Sequence, residues 1–354
     1  MKKRLSVFIV LALLCVGCNT ATHKSVFNGR LIQIKNFGII TKIPAKEALL
    51  ANLPPGITGI EKMDSLVILR HSYNPDFLIS VYDIRKDQFL GSLLRKGRGP
   101  EEYITISYWG EYDIDDNEDR HIYFSAINEK EILKCNVSDF LRTGRYLTEN
   151  RYTFSNISYK THILNDSEFL SYFYDSDKQQ VFYRKLSSTK EEYVDYLVFN
   201  RTIPSPSDFE LLSSANRLSP NKDKIAMGQM NFCFINILDL TNPKNNLSIM
   251  PDKTFYESFE TVKNKAVEDQ IINYIDLKCS PSHIYALYSG QRFNDWQEVE
   301  HGVELHIVDW KGKGIARLII EESLLLFYVD ENNKAMYAID HLENTYIYDL
   351  SGII

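Results

Sequence analysis

The acidic run Asp113–Asp119 is the part of the sequence that comes closest to a metal site. Its spacing resembles the start of a calcium-binding loop, in which Asp and Asn side chains at alternate positions coordinate the ion. The sixth position of such a loop needs Gly for a sharp turn but is Glu118 here, and the twelfth is Phe124 rather than Glu. The run therefore favours a turn between two strands, and the sequence predicts neither a metal site nor a cofactor.

The histidines and paired carboxylates do not form a catalytic pattern. The sequence contains no HExxH metal motif and no Gly-x-Ser-x-Gly nucleophile elbow. Pairs such as Glu101–Glu102 and Glu321–Glu322 are more typical of solvated surfaces than of acid–base dyads. The histidines are scattered along the chain, among them His121, His162, His283, His301, His306 and His341. These residues favour a non-enzymatic protein and leave catalysis as the alternative.

A loop that contains aromatic residues is the best candidate for binding. Residues 290–302 begin and end with Gly and include Arg292, Phe293 and Trp296. Exposed aromatic side chains beside Arg are typical of protein interfaces and of surfaces that stack against sugars. We therefore predict that these three residues contact a partner. The alternative is that Phe293 and Trp296 pack back onto the fold.

The N-terminus has the pattern of an export signal. Lys2–Arg4 are basic, Leu5–Val16 are apolar, and Gly17 and Cys18 follow. An apolar run of this length indicates a signal peptide rather than a membrane-spanning helix. A small residue directly before Cys resembles the lipobox of bacterial lipoproteins, in which that cysteine is acylated.

Cys18 is accordingly the predicted lipidation site, with residues 1–17 as signal peptide and 18–27 as tether. Because each buried CH2 group contributes ~0.8 kcal/mol, two or three acyl chains would anchor the mature protein stably. The predicted location is the bacterial cell envelope, at the outer membrane or the periplasmic face. Cleavage as an ordinary secreted protein is the alternative.

The net charge limits the kinds of partner that the protein can bind, and the cysteines limit the metal sites and disulfides that it can form. The formal net charge is −7, which argues against nucleic acid because a nucleic-acid-binding protein needs a basic patch. The remaining cysteines, Cys135, Cys233 and Cys279, lack CxxC spacing and therefore predict neither zinc nor a disulfide framework. Cys135 and Cys233 lie in apolar strand phrases and are predicted to be buried thiols, and a Cys233–Cys279 bridge is the alternative.

A strand-and-turn phrase recurs six times and determines the predicted architecture. Each copy is an apolar and aromatic run, one polar residue, one more apolar residue and a turn. The polar residues, spaced 40 to 70 positions apart, are Asp83, Asn136, Lys185, Asp239, Asp309 and Asp349. Repeats of this length without helices are typical of β-propellers. We therefore predict an all-β protein with a single six-bladed propeller over residues 28–354.

The last repeat is too short to form a complete blade. It begins at Val329, and from there only 26 residues remain to the end of the sequence, which is enough for about three strands of ordinary length. An unfilled sheet edge invites aggregation, so a strand from the N-terminus should complete the last blade. The apolar alternation at Leu31–Ile34 makes this segment the predicted donor.

The stretch Gly97–Tyr103, with the sequence Gly-Arg-Gly-Pro-Glu-Glu-Tyr, carries a family resemblance. It comprises Gly97, Arg98, Gly99, Pro100, Glu101, Glu102 and Tyr103. It resembles the GxGPxE(F/Y) phrase in the first blade of TolB-like six-bladed propeller lipoproteins. Leu218–Ala226 is similar to a second phrase of that family. The resemblance covers about residues 28–354 and implies a propeller fold and an exported location, but no reaction.

The leading functional hypothesis is a non-enzymatic recognition scaffold. It would bind a protein or glycan of the cell envelope through loops at one face of the propeller, and contact the membrane only through its lipid. Rigid blades suit this role because they hold variable loops around a central channel. The alternative is a hydrolase or lyase in that channel, which would need acidic residues or histidines from several blades to converge, possibly around a divalent ion. The sequence leaves the oligomeric state open.

Overall fold

The computed structural model describes residues 26–46, 53–154, 160–175, 180–187, 190–196, 198, 199, 203, 205–251, 256–298 and 301–354. Two short strands precede the blades, β1 (Arg30–Gln33) and β2 (Ile39–Lys42). The chain then forms six small sheets in succession, and each sheet is one blade. The predicted six-bladed propeller is therefore confirmed.

Blades one to three contain the next fourteen strands. Blade one comprises β3 (Ile57–Met63), β4 (Leu66–His71), β5 (Phe77–Asp83), β6 (Gln88–Lys96) and β7 (Glu102–Tyr103). Blade two comprises β8 (Ile106–Ser107), β9 (Tyr112–Ile114), β10 (Arg120–Ala126), β11 (Glu131–Asn136) and β12 (Thr148–Thr153). Blade three comprises β13 (Lys160–Asn165), β14 (Glu168–Asp175), β15 (Gln180–Ser187) and β16 (Lys190–Val194).

Blades four to six contain the remaining strands. Blade four comprises β17 (Ser214–Leu218), β18 (Lys224–Gln229), β19 (Ile235–Asp239) and β20 (Leu247–Met250). Blade five comprises β21 (Ile271–Cys279), β22 (His283–Arg292), β23 (Val303–Asp309) and β24 (Gly314–Ile320). Blade six comprises β25 (Leu324–Asp330), β26 (Ala335–Asp340) and β27 (Thr345–Asp349). The first strand of blade six packs against the first strand of blade one, which closes the ring.

The repeated phrase forms the third strand of every blade, and where its polar residue is Asp or Asn the side chain accepts hydrogen bonds from the backbone that follows. The Asp83 carboxylate accepts a hydrogen bond from the backbone N–H of Arg85 at 3.0 Å. The Asp239 carboxylate accepts one from the N–H of Thr241 at 3.0 Å. Asp and Asn favour this position because their short side chains reach the backbone two residues further on.

Short helices occupy several connections between strands. The α-helices are α1 (Val137–Thr143), α2 (Pro206–Glu210), α3 (Phe259–Lys263) and α4 (Phe293–Glu298), and 3-10 turns lie at Pro243–Asn245 and Val267–Asp269. In the sequence, Phe255, Phe259, Val262 and Ala266 have the spacing of one amphipathic helix, and α3 is its described α-helical part. It buries Phe259 and Val262 as the spacing required.

The N-terminal segment adds strands to the outer edges of later blades. β1 pairs in parallel with β20 of blade four, and β2 pairs in parallel with β24 of blade five. Next along the chain, Lys46 forms an isolated antiparallel bridge with Ile347 of blade six. N-terminal strands thus complete blades as predicted, but Leu31–Ile34 lies at blade four rather than at the last blade. Apolar alternation specifies a strand without specifying which edge it joins.

The apolar core lies between neighbouring blades, and two of the cysteines belong to it. Cys135 and Cys233 are buried, as predicted, and burial raises the pKa of the Cys135 thiol to about 12. Cys233 and Cys279 are separate thiols, so the alternative of a bridge between them is wrong. At the end of the predicted tether, Val26 and Phe27 are also buried.

Candidate functional site

A buried network of four charged side chains lies in the central channel. The first strands of the blades line this channel, and they supply Glu61, Arg217, Asp276 and Lys278. Glu61 Oε1 lies 2.7 Å from Arg217 Nη2 and 2.6 Å from Lys278 Nζ. Asp276 lies 3.2 Å from Arg217 and 3.4 Å from Lys278. Two cations from blades four and five therefore hold two carboxylates from blades one and five.

Mutual attraction keeps Glu61 and Arg217 ionised in spite of their burial. Burial alone would raise the pKa of Glu61, but the charges of Arg217 and Lys278 outweigh it and hold that pKa below its ordinary value. Burial alone would lower the pKa of Arg217, and the Glu61 and Asp276 carboxylates reverse the effect. Glu61 and Arg217 therefore carry full charges although they are buried.

An interruption in the first strand of blade two places a tryptophan beside this network. β8 and β9 both pair with β10, and the residues between them include Trp109 and Gly110. Gly110 has a φ of 88°, and a Cβ there would lie 2.8 Å from the Glu61 carboxylate. Glycine therefore permits both the backbone conformation and the close approach that bring this loop to Glu61.

The network and Trp109 separate two cavities along the channel. We define the upper face as the one at which the second and third strands of each blade are joined, and the lower face as the opposite one. The upper cavity has a volume of about 710 Å³ and the lower cavity about 680 Å³. Both are lined by Glu61, Trp109, Arg217 and Lys278. These four side chains therefore form a partition across the channel.

Two further cations line the upper cavity close to Trp109. The Arg70 guanidinium carbon and the Lys160 Nζ atom each lie 5.3 Å from the centre of the Trp109 ring, as does the guanidinium carbon of Arg217. Cations at such distances are attracted to the negative face of an aromatic ring. Burial, followed by the positive charge of Arg217, lowers the pKa of Lys160 to about 7. Lys160 can therefore gain or lose its proton near neutral pH.

The arrangement of acidic and histidine side chains in the described channel bears on metal binding. Among the residues in the ranges given above, no three His, Cys, Asp or Glu side chains are grouped so that they could hold an ion. The channel carboxylates contact Arg217 and Lys278 instead. The acidic run is a turn, as predicted, because the Asp115 carboxylate accepts the N–H groups of Asn117 and Asp119.

The predicted binding residues lie in and beside α4, at the upper face of blade five. Arg292 is exposed, and its guanidinium lies 3.8 Å from the carboxylate of Asp269. Phe293 and Trp296 are half-buried, and the Trp296 ring packs edge-to-face against His341 of blade six at 5.6 Å. The aromatic rings therefore pack partly onto the fold and keep an exposed side, and their contact with a partner stays a prediction.

Two strongly exposed apolar residues lie on the same face in the next blades. Leu342, next to His341 in the upper turn of blade six, is 78% exposed, and Tyr73 in the upper turn of blade one is 82% exposed. Glu343 connects the upper turn of blade six to the start of blade one, because its carboxylate accepts the N–H groups of Gly56 and Ile57. We call Arg292, Phe293, Trp296, Leu342 and Tyr73 the upper-face ridge.

The family phrase at residues 97–103 has a structural role in the described fold. The Glu102 carboxylate accepts the backbone N–H of Gly99 at 2.8 Å, and Gly97 donates its N–H to the carbonyl of Tyr103 at 3.2 Å. A Cβ at Gly97 would lie 2.0 Å from the Glu102 carboxylate. The buried Tyr103 side chain also bonds Thr148 of blade two at 2.8 Å. The phrase therefore forms an ordered connection between blades, with Arg98, Pro100 and Glu101 within it.

The sequence did not identify the residues of the channel. Arg70, Lys160 and Arg217 lie in three different blades, and nothing in their local sequence distinguishes them from surface cations. A useful signal would have been that these basic residues lie on strands whose neighbouring strands are otherwise apolar. Cys18, the predicted lipidation site, lies outside the described residues.

Comparison with known proteins gives a family and a fold. The model of the family described as TolB-like 6-blade propeller-like matches residues 48–332. No curated protein sequence matches the chain. In the described part of the chain, no helix is both long and apolar enough to cross a membrane.

Two solved structures from Bacteroides resemble the fold. One is a protein from Bacteroides fragilis NCTC 9343 that is thought to be exported; it is 12% identical, with a TM-score of 0.53, and the alignment covers 90% of this chain and 98% of that one. The other is a member of the DUF4221 family from Bacteroides vulgatus ATCC 8482; it is 10% identical, with a TM-score of 0.57, and the alignment covers 87% and 96% of the two chains.

Proposed function

This chain belongs to the TolB-like six-bladed propeller family, and on that premise we propose that it is an exported, lipid-anchored recognition protein without catalytic activity. Its partner is a protein or glycan of the cell envelope, bound at the upper face. The observation that carries this proposal is the upper-face ridge. Single exposed apolar residues are ordinary on a protein surface, whereas neighbouring ones are typical of interaction sites.

The composition of the ridge supports a binding role. It combines one exposed cation, Arg292, with the exposed side chains of Tyr73 and Leu342 and the partly exposed rings of Phe293 and Trp296. Tyr, Trp and Arg are the residues that contribute most often to binding energy at interfaces. Three blades contribute to the ridge, so a partner would contact a rigid surface rather than one mobile loop.

The charged partition favours binding over catalysis in the channel. A hydrolase or lyase would need a carboxylate or histidine that is available to the substrate. Glu61 and Asp276 each contact both Arg217 and Lys278. Glu61, whose pKa the two cations hold below its ordinary value, is a poor general acid, so the structure lends the enzymatic alternative no specific support.

Site-specific photo-crosslinking in intact cells tests the proposed surface. A photoreactive amino acid at Tyr73 or Leu342 should give a discrete adduct of higher mass. The same amino acid at Ile114, which is 48% exposed at the lower face, should give at least several-fold less. Sensitivity of the adduct to protease or to glycosidase distinguishes a protein partner from a glycan. Equal yields from both faces, or no adduct from the ridge, would count against the proposal.

Acylation of Cys18 is tested separately. The wild-type protein should incorporate labelled fatty acid and sediment with membranes, because its acyl chains are buried in the bilayer. The Cys18→Ser variant should lose nearly all of the label and appear in the soluble fraction, while Cys15→Ser should behave like the wild type. Retention of the label by Cys18→Ser would contradict the predicted lipidation site.

A further inference from the structure

The upper cavity has the size of a small-molecule site. Its volume of about 710 Å³ falls within the roughly 300–1,000 Å³ that is usual for ligand pockets. The partition of Glu61, Trp109, Arg217 and Lys278 forms its inner end. A ligand that enters from the upper face would therefore meet charged groups at the end of its path.

Positive charge exceeds negative charge at the buried end of the cavity. The Glu61 and Asp276 carboxylates lie within ion-pair distance of Arg217 and Lys278, and Arg70 and Lys160 are additional cations of the lining. A third acidic residue of the lining, Glu210, is exposed. Water screens exposed charges far more than buried ones, so Glu210 compensates the buried cations only weakly.

Arg70 has further capacity to bind an anion. Its Nη2 atom donates a hydrogen bond to the Thr58 carbonyl at 2.7 Å. Within the described ranges it forms no ion pair, and its buried Nε atom has no hydrogen-bond partner. The buried hydroxyl groups of Tyr108 and Tyr172, which also line the cavity, likewise have no partner there. Buried polar groups normally have a partner, and a polar ligand would supply one.

The rest of the lining is largely apolar. It includes Phe209, Leu212, Met230, Ile275 and Leu326, which come from α2 and from blades four, five and six. An inorganic anion would gain no favourable contact with these apolar side chains. A ligand that has both an anionic group and an apolar body would use the whole lining.

We propose that the upper cavity binds a small organic acid, with its carboxylate against Arg70 and Lys160 and its apolar body against Phe209, Leu212, Met230, Ile275 and Leu326. The site lies inside the channel and does not include the upper-face ridge. The inference therefore goes beyond the proposed partner function and does not depend on it.

Binding of such an acid is coupled to the proton on Lys160. A carboxylate favours the charged form of a neighbouring lysine. Because the pKa of Lys160 is about 7, the side chain is already charged in more acidic solution, whereas in more basic solution binding must take up a proton. Affinity should therefore fall as pH rises from about 6 to about 9, by at most about tenfold per pH unit. The other charged groups of the lining are Arg70, Arg217, Lys278, Glu61, Asp276 and Glu210.

Calorimetry with simple probes tests the ligand class on the unmodified protein. Straight-chain carboxylates from acetate to decanoate should bind more tightly as the chain lengthens, until the cavity is filled. Alcohols of the same length should bind about tenfold more weakly or worse, because they lack the charge. Inorganic phosphate should bind weakly, because it lacks the apolar body. Equal binding of acids and alcohols, or tight binding of phosphate alone, would overturn the proposal.

Matched variants locate the site. Arg70→Met and Lys160→Met should each weaken decanoate binding about tenfold or more, and Lys160→Met should also abolish the pH dependence. Lys222→Met, in the lower cavity, should leave binding unchanged. Lys160→Met is expected to fold, because it removes a charge whose burial is costly. An equal loss in Lys222→Met, or no loss in either upper-cavity variant, would overturn the assignment.

Discussion

Replacement of Glu61 with alanine is expected to destabilise the protein by about 3–5 kcal/mol at neutral pH. Among the described residues, the change leaves Asp276 as the remaining carboxylate within ion-pair distance of the buried Arg217 and Lys278. Removal of one member of a buried ionic network is costly because the remaining charges lose their compensation. Urea-induced unfolding, followed by circular dichroism, measures the loss.

A matched pair of variants separates this effect from simple truncation. Glu129→Ala removes an exposed carboxylate and should change the free energy of unfolding by less than about 0.5 kcal/mol. Glu61→Ala/Lys278→Met removes one charge of each sign and should regain part of the lost stability. A loss below about 1 kcal/mol for Glu61→Ala would mean that the partition contributes little to folding.

The Glu61 carboxylate also makes the folding stability depend on pH, in a direction that its pKa determines. The pKa of folded Glu61 lies below the 4.5 of an ordinary glutamate. The contribution of the Glu61 carboxylate to the free energy of unfolding is therefore fully present above pH 4.5. It is lost as pH falls through the pKa of Glu61 in the folded protein. The stability difference between wild type and Glu61→Gln should accordingly shrink in acid. A difference that stays constant down to about pH 3 would contradict the lowered pKa.

Replacement of Phe27 with alanine is expected to cost about 3–5 kcal/mol, which is the usual range for a fully buried Phe. Phe27 is 1% exposed, and its ring lies 5.6 Å from the rings of Phe199 and Phe232 and 5.7 Å from that of Phe234. The residue precedes β1 and fixes the N-terminal segment to the propeller. Thermal and urea unfolding of the mature chain measure the effect.

Leu31→Ala is the control on the same segment. Leu31 lies in β1 and is 46% exposed, so its truncation should cost less than about 1 kcal/mol. Similar losses for Phe27→Ala and Leu31→Ala would show that the whole strand, rather than the aromatic contact, fixes the segment. A loss below about 1 kcal/mol for Phe27→Ala would show that the N-terminal segment is not needed for stability.

The third strands show how far local sequence predicts this fold. Asp83 and Asp239 accept hydrogen bonds from backbone groups two residues further on, so the residue that marks the repeat also directs its turn. The contact lies within one short segment and can therefore be predicted from spacing. The strand at Leu31–Ile34 could be predicted for the same reason, but its partner in blade four could not.

The sequence by itself determined the number of blades, the turn at Asp113–Asp119 and the burial of Cys135 and Cys233, because apolar periodicity and turn residues act over a few positions. Only the tertiary structure brought Arg70, Lys160 and Trp109 together at one end of a cavity. These residues belong to three blades, and closure of the ring, rather than any local pattern, brings their strands together around one channel. Burial then strengthens the electrostatic interactions of Arg70 and Lys160, because charges interact more strongly in the protein interior than in water.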